Sequence, residues 1–214
     1  MAGGPSVRLY RVEWSTNCER VALALAHKGI EAQSVLIDYS NRAPVQAVSG
    51  QGLVPVIEDG GEAINDSVAI IRHLERRTPQ PRLFPEQPAR RAEVDVFIEW
   101  FELVYKGPPN AIEAELEGNA PDARLIAAAS AEMRARLEVF ERLLEGREFL
   151  FGEFGAADCV AYPFLKYAAG RKPADAELFH VILEEHQPLG PEHRALAAWI
   201  ARVAERPRAY PDPA

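Results

Sequence analysis

Apolar and polar positions change period several times within the first eighty residues. Val7-Arg8-Leu9-Tyr10-Arg11-Val12 alternates between the two, which predicts a strand. From Cys18 to Lys28, Val21, Leu25 and several alanines fall on one helical face, and Gly29 supplies a stop. Gln33 to Asp38 reads as a second strand, so the chain opens with a strand-helix-strand unit and a parallel pair. Asn41 to Val48 predicts a short irregular helix. Val54 to Glu58 and Glu62 to Ile64 predict a hairpin across Asp59-Gly60-Gly61, and Asp66 to Arg77 a further helix. The predicted order is β-α-β-α-β-β-α.

The pattern then changes character. Thr78-Pro79-Gln80-Pro81-Arg82-Leu83-Phe84-Pro85 is proline-rich, and proline excludes helix and stiffens a linker. No strand signal of comparable strength follows. Helical periodicity marks Ala89 to Tyr105, with Gly107-Pro108-Pro109 expected to break or kink it. Pro121 to Leu144, Ala156 to Ala169, Asp175 to His186 and Pro191 to Glu205 are further predicted helices. The fold class is therefore an α+β domain at residues 1–78, a linker at 79–88 and an all-α helical bundle at 89–214.

Composition narrows the function classes. The 214 residues are 48% hydrophobic and 26% charged, which fits packed globular domains and argues against wholesale disorder. A net charge of −8 does not suit a general nucleic-acid binder, which needs a basic surface. No apolar run approaches the roughly 20 residues that span a bilayer, so no membrane partner is expected. Cys18 and Cys159 fall in different predicted domains and read as reduced thiols, with a cytoplasmic location as the expectation. The five histidines lack metal-ligand spacing, and no metal is expected.

Candidate chemistry gathers in three places. Trp14-Ser15-Thr16-Asn17-Cys18 lies between the first strand and its helix, where a helix N-terminus stabilises a nearby anion. Ser15 reads either as a helix cap or as a hydroxyl that meets a substrate. Val54-Pro55 leads into a strand, where proline marks an edge or a turn. Asp66-Ser67 opens a helix and reads as a cap, as a carboxylate-binding site, or as both. An extended backbone beside an anion-binding helix start suits a short acidic peptide.

Val54-Pro55 followed by Asp66-Ser67, with Ser15 six residues before Val21 of the pair Arg20-Val21, resembles the cytosolic glutathione transferase family in its serine-type, phi-, tau- and zeta-like classes. The resemblance runs from Val7 to about Tyr210 and is strongest before Leu74. It implies a thioredoxin-like N-terminal domain ahead of the helical one, glutathione as co-substrate, a small electrophile as partner, a role in detoxification and a homodimer. Ser15 takes the catalytic position, donating to the glutathione sulfur and stabilising the thiolate. Cys18 is then either a packed small side chain or a thiol that forms mixed disulfides.

By the same resemblance Val54 and Pro55 hold the cysteinyl part of the peptide, while Asp66 and Ser67 hold its γ-glutamyl end. Arg42, with Asn41 and Gln46, takes the glycyl carboxylate, although Ser49-Gly50 stands where the family often has Asn-Pro. Trp14, Phe101 and Tyr105 are the candidates for an electrophile pocket between the domains. Gly155-Ala156-Ala157-Asp158 resembles the family's helix-capping box with its hydroxyl lost, and is assigned to structure. Alternative functions on this fold are a glutathione-dependent isomerase, a lyase, a thiol-disulfide reductase, or a binding protein without catalysis.

Overall fold

The computed structural model describes residues 7–211, so the outermost ends of the two expected domains lie outside the described residues. The first unit is built from β1 (Val7–Arg11), α1 (Thr16–His27), β2 (Ala32–Leu36), α2 (Ala43–Ser49), β3 (Val56–Asp59), β4 (Glu62–Asn65) and α3 (Ser67–Arg77). This is the predicted β-α-β-α-β-β-α order. The sheet runs β2-β1-β3-β4, with β1 parallel to β2 and the other pairs antiparallel. A parallel neighbour requires a crossover, which α1 supplies. β1 lies inside the sheet, and Val7, Leu9 and Tyr10 are accordingly buried. Gly60 and Gly61 close the β3–β4 hairpin at φ 61 and 89, a conformation a side chain resists. Tyr10, Val12, Ile37, Val45 and Val56 form an apolar cluster, with Val48 and Val54 packed against it, and so seat α2 on the sheet.

The first unit continues past the expected limit at residue 78 and ends at Phe84. Glu75 explains the difference. Its buried carboxylate pairs with the Lys28 ammonium and accepts the Leu83 N–H at 2.9 Å, while Lys28 also donates to the Pro81 carbonyl at 2.6 Å. A buried ion pair held by further hydrogen bonds fixes this stretch of chain to α1 and α3. Residues from Arg206 onward also belong to the first unit, whereas the sequence had assigned them to the helical domain.

The second unit, Pro85 to Glu205, is helical. It contains α4 (Pro88–Trp100), a π-helical turn (Phe101–Tyr105), α5 (Gly107–Glu117), α6 (Ala123–Leu143), α7 (Ala156–Leu165) with a 3-10 turn (Lys166–Ala169), α8 (Leu178–His186) and α9 (Arg194–Ala204). The helical run from α4 ends at Tyr105, just before Gly107-Pro108-Pro109, and the tripeptide then starts a new helix. It opens α5, because proline is tolerated in a first turn, where N–H groups lack helical partners anyway. α7 is buried along its whole length. Asp158, 1% exposed, ties its start to the rest of the unit. The Asp158 carboxylate accepts N–H groups from Gly155 at 3.0 Å, Leu150 at 3.1 Å and the Trp199 indole at 2.7 Å.

Candidate active site

Ser15 is the N-cap of α1. Its backbone is extended, its side chain is half-buried, and its Oγ accepts the Cys18 N–H at 3.2 Å. The preceding Trp14 has φ 55, in the left-handed region that a bulky side chain rarely enters. Strain of this kind persists only where the surroundings hold it, and it concentrates at working sites. The cap and donor readings of Ser15 are compatible in this geometry. A hydroxyl accepts through its lone pairs and still has one proton to give.

Cys18 is fully buried, and burial pushes its thiol up to about 11, outweighing hydrogen bonding from Ser15 and Val12 and the nearby charges of Arg11 and Arg42. Such a thiol is protonated at neutral pH and sealed from reagents, which favours the packed reading. Cys159 is buried as well.

Strand pairing brings the candidate peptide-holding residues to one end of the sheet. Val56 pairs with Asn65 at the end of the β3–β4 ladder, so Val54, just before β3, and Ser67, just after β4, belong to the same end of the hairpin. On the other side Tyr10 pairs with Val56, so β1 leaves the sheet toward Ser15 at that same end, and Val54 packs against the cluster that holds Tyr10 and Val12. Val54, the Ser15 turn and the start of α3 therefore share one end of the sheet. Its bond to Pro55 is cis, and no hydrogen bond engages the Val54 N–H or carbonyl among the described residues. Backbone groups left open in this way can pair with an added strand.

At the start of α3, Asp66 has φ 69 and accepts the Val68 and Ala69 N–H groups at 3.0 and 2.9 Å through one oxygen, Oδ1. Ser67 is buried, and its Oγ accepts from Arg20 Nη1 at 3.2 Å. Arg20 is a residue the sequence reading missed as part of the site. It is fully buried on α1, and it links α1 to α3 while placing positive charge behind Ser67. Its only signal in the sequence was its place beside Val21.

Arg42 caps α2 at its N-terminus, and its guanidinium lies over the Tyr39 ring at 4.4 Å. Arg42 Nη1 is buried and has no hydrogen-bond partner among the described residues. A buried donor in that state favours an anionic partner. The loop after α2 is ordered by Gln51, whose side chain donates to the Leu53 carbonyl at 2.9 Å and accepts its N–H at 2.5 Å. Among the described residues no cluster of three or more His, Cys, Asp or Glu side chains is placed to hold a metal ion. No described helix is long and apolar enough to cross a membrane.

The assignment of Phe101 and Tyr105 to an electrophile pocket is corrected by the structure. Both are buried in the core of the second unit, stacked on each other at 4.3 Å, with Phe140 edge-on to each. The Tyr105 hydroxyl donates to Gln187 at 2.5 Å, and burial raises its pKa well above the usual tyrosine value. The π-helical turn sends these two rings inward and leaves Leu103 and Val104 on the open side. There they line a groove of about 460 Å3 with Pro108, Ala111 and Leu125. Trp14 remains at the Ser15 turn, half-exposed.

Known proteins match both units. Residues 9–82 match the glutathione S-transferase N-terminal domain family, and residues 94–207 match the glutathione S-transferase C-terminal domain family. The chain is 41% identical over 93 residues to a maleylacetoacetate isomerase of Pseudomonas aeruginosa, covering 40% of this chain and less than half, 44%, of that protein. It is 30% identical over 166 residues to glutathione S-transferase 3 of Zea mays, covering 71% of this chain and 73% of that one. Among solved structures it is similar to a glutathione S-transferase from Rhodospirillum rubrum, with a TM-score of 0.71 and 27% identity over 94% of this chain and 89% of the other. With one domain family matched across each unit, the chain belongs to the glutathione S-transferase family.

Proposed function

We propose that this protein activates the thiol of glutathione for attack on a small electrophile, with Ser15 as the activating group. The observation that carries this reading is the Ser15 hydroxyl at the start of α1, half-exposed and accepting the Cys18 N–H, with a proton that can rotate toward a bound thiol. Donated to the glutathione sulfur, that proton stabilises thiolate over thiol and lowers the thiol pKa. The thiol proton leaves to solvent, and a sulfur lone pair forms the new carbon–sulfur bond as the electrophile either releases its leaving group with the bonding pair or takes up that pair from a π bond and is then protonated by water. Val54 offers its open backbone groups to the cysteinyl part. Ser67, backed by Arg20, takes the γ-glutamyl carboxylate, and Asp66 the adjoining amine. Arg42 takes the glycyl carboxylate, a role its buried and unpartnered Nη1 supports.

Replacing Ser15 tests the assignment. Ser15→Ala should lower kcat roughly 10²-fold, in line with loss of a donor to developing charge. Glutathione binding should change far less, because its contacts lie on other elements. Turnover lost in Cys18→Ala but retained in Ser15→Ala would show thiol exchange instead and overturn the reading.

A second reading is an isomerase using the same activated thiol, supported by the 41% identity to the Pseudomonas aeruginosa maleylacetoacetate isomerase across 93 residues. Maleylacetoacetate converted faster than a panel of conjugating electrophiles would favour it. A homodimer and a cytoplasmic location belong to the same proposal. A solution mass near 23.7 kDa by light scattering at micromolar concentration would rule out the dimer.

A further inference from the structure

The end of the chain is a part of the first unit that the proposed chemistry leaves unused. From Arg206 to Tyr210 it follows α1 and is fastened at four points. Arg206 Nη2 lies 3.0 Å from His27 Nδ1, and Arg208 Nη2 donates to Glu19 Oε1 at 3.1 Å. The Ala209 N–H donates to the Ala22 carbonyl at 3.1 Å, and the Arg11 guanidinium lies 4.0 Å from the centre of the Tyr210 ring. The Arg208–Glu19 pair is nearly buried, with side chains 9% and 10% exposed. Arg11 is also held from its other side, where its Nε donates to Ser34 Oγ at 2.7 Å.

Two of these anchors bracket the Ser15 turn. Arg11 ends β1, and Glu19 lies in the opening turns of α1, its N–H donating to the Ser15 carbonyl at 3.0 Å. Between them stand Ser15 and Trp14, whose left-handed backbone needs external support. The tail thus holds both ends of the segment whose conformation aims the Ser15 hydroxyl.

We propose that residues 206–210 form a positioning strap, in which Tyr210 on Arg11 and Arg208 on Glu19 fix the turn that carries Ser15. Arg208 and Tyr210 act through Arg11 and Glu19 and are positioning residues. The inference rests on the reading of Ser15 as the donor to the glutathione sulfur. The groups assigned to hold glutathione, Val54, Asp66, Ser67 and Arg42, lie on other elements. A loosened strap therefore acts on thiol activation and not on peptide binding, because small displacements of a reacting group cost rate steeply.

The test uses the full chain with Tyr210→Ala and Tyr210→Phe, measuring kcat, KM for glutathione, and the pH at which bound glutathione becomes thiolate by ultraviolet absorbance. Tyr210→Ala should lower kcat about tenfold and shift thiolate formation to higher pH, with KM changed less than about twofold. Tyr210→Phe should match the unaltered protein, because the ring is what faces Arg11. Arg208→Ala should move the same readouts in the same direction; if it fails to fold, the half-buried Tyr210 pair still decides. An unchanged kcat and titration in Tyr210→Ala, or a change confined to KM, overturns the strap while leaving the functional reading in place. An unaltered protein that forms no thiolate on glutathione overturns the functional reading first, and the strap with it.

Discussion

Asp66 in the first unit and Asp158 in the second both stand at the first turn of a helix and accept backbone N–H groups. Asp66 is exposed and caps α3 through Oδ1 alone, leaving its second oxygen toward solvent. Asp158 is buried and uses both oxygens on three N–H donors, from Gly155, Leu150 and Trp199. Burial pushes its pKa up to about 6 against those hydrogen bonds. The same residue type, at the N-cap of α3 and at the third position of α7, thus does two kinds of work. At an open helix start the carboxylate keeps capacity for a ligand, whereas inside the core that capacity is consumed by the fold.

The largest effect expected from this contrast is on stability. Asp158→Ala should leave two buried N–H groups, of Leu150 and the Trp199 indole, and the part-buried Gly155 N–H without acceptors, at about 1–3 kcal/mol each, for a loss of about 4 kcal/mol in chemical denaturation. A loss no greater than that of Asp66→Ala would break the contrast.

The next is a pH dependence. The folded-state pKa of Asp158, about 6, exceeds the unfolded value near 3.9, so the folded form binds its proton more tightly. Its contribution is complete below about pH 4 and is lost as pH rises through about 6, a decline of roughly 3 kcal/mol. Asp158→Asn does not titrate, and its stability curve should be flatter across that window. An unchanged slope would show that Asp158 is not the titrating group.

Third comes the Ser15→Ala change, roughly 10²-fold in kcat or about 2.7 kcal/mol, with stability changed far less than in Asp158→Ala. The smallest is Asp66→Ala, about 1 kcal/mol of stability from the lost cap, together with weaker glutathione binding by calorimetry. Unaltered binding would restrict Asp66 to the cap and sharpen the boundary between the two kinds of work.

Much of the first unit was legible because its signals are local. Alternation in Val7 to Val12, the Gly60-Gly61 turn and the Asp66 cap each depend on a few neighbouring residues. The helix after Gly107-Pro108-Pro109 was missed because proline disfavours a helix interior and suits a first turn, and composition does not say which applies. Phe101 and Tyr105 sit at helical spacing, but a π-helical turn and the facing rings of Phe140 and Phe164 set their direction. Arg20 could not be singled out, because its partner Ser67 is remote in the chain and they meet only once α1 and α3 pack.

The sequence by itself determined the order of strands and helices in the first unit, the helical nature of the second, and the residue types available at three helix starts. Those follow from periodicity, turn chemistry and capping, which act over a few residues. Tertiary structure alone decided which of these residues stayed open at a helix start and which became core. It brought Val54, the Ser15 turn and Ser67 to one end of the sheet, buried Cys18, and returned the tail to α1 beside the Ser15 turn. Register, burial and long-range pairing depend on surfaces that come together only when the elements pack, so no local stretch of sequence contains them.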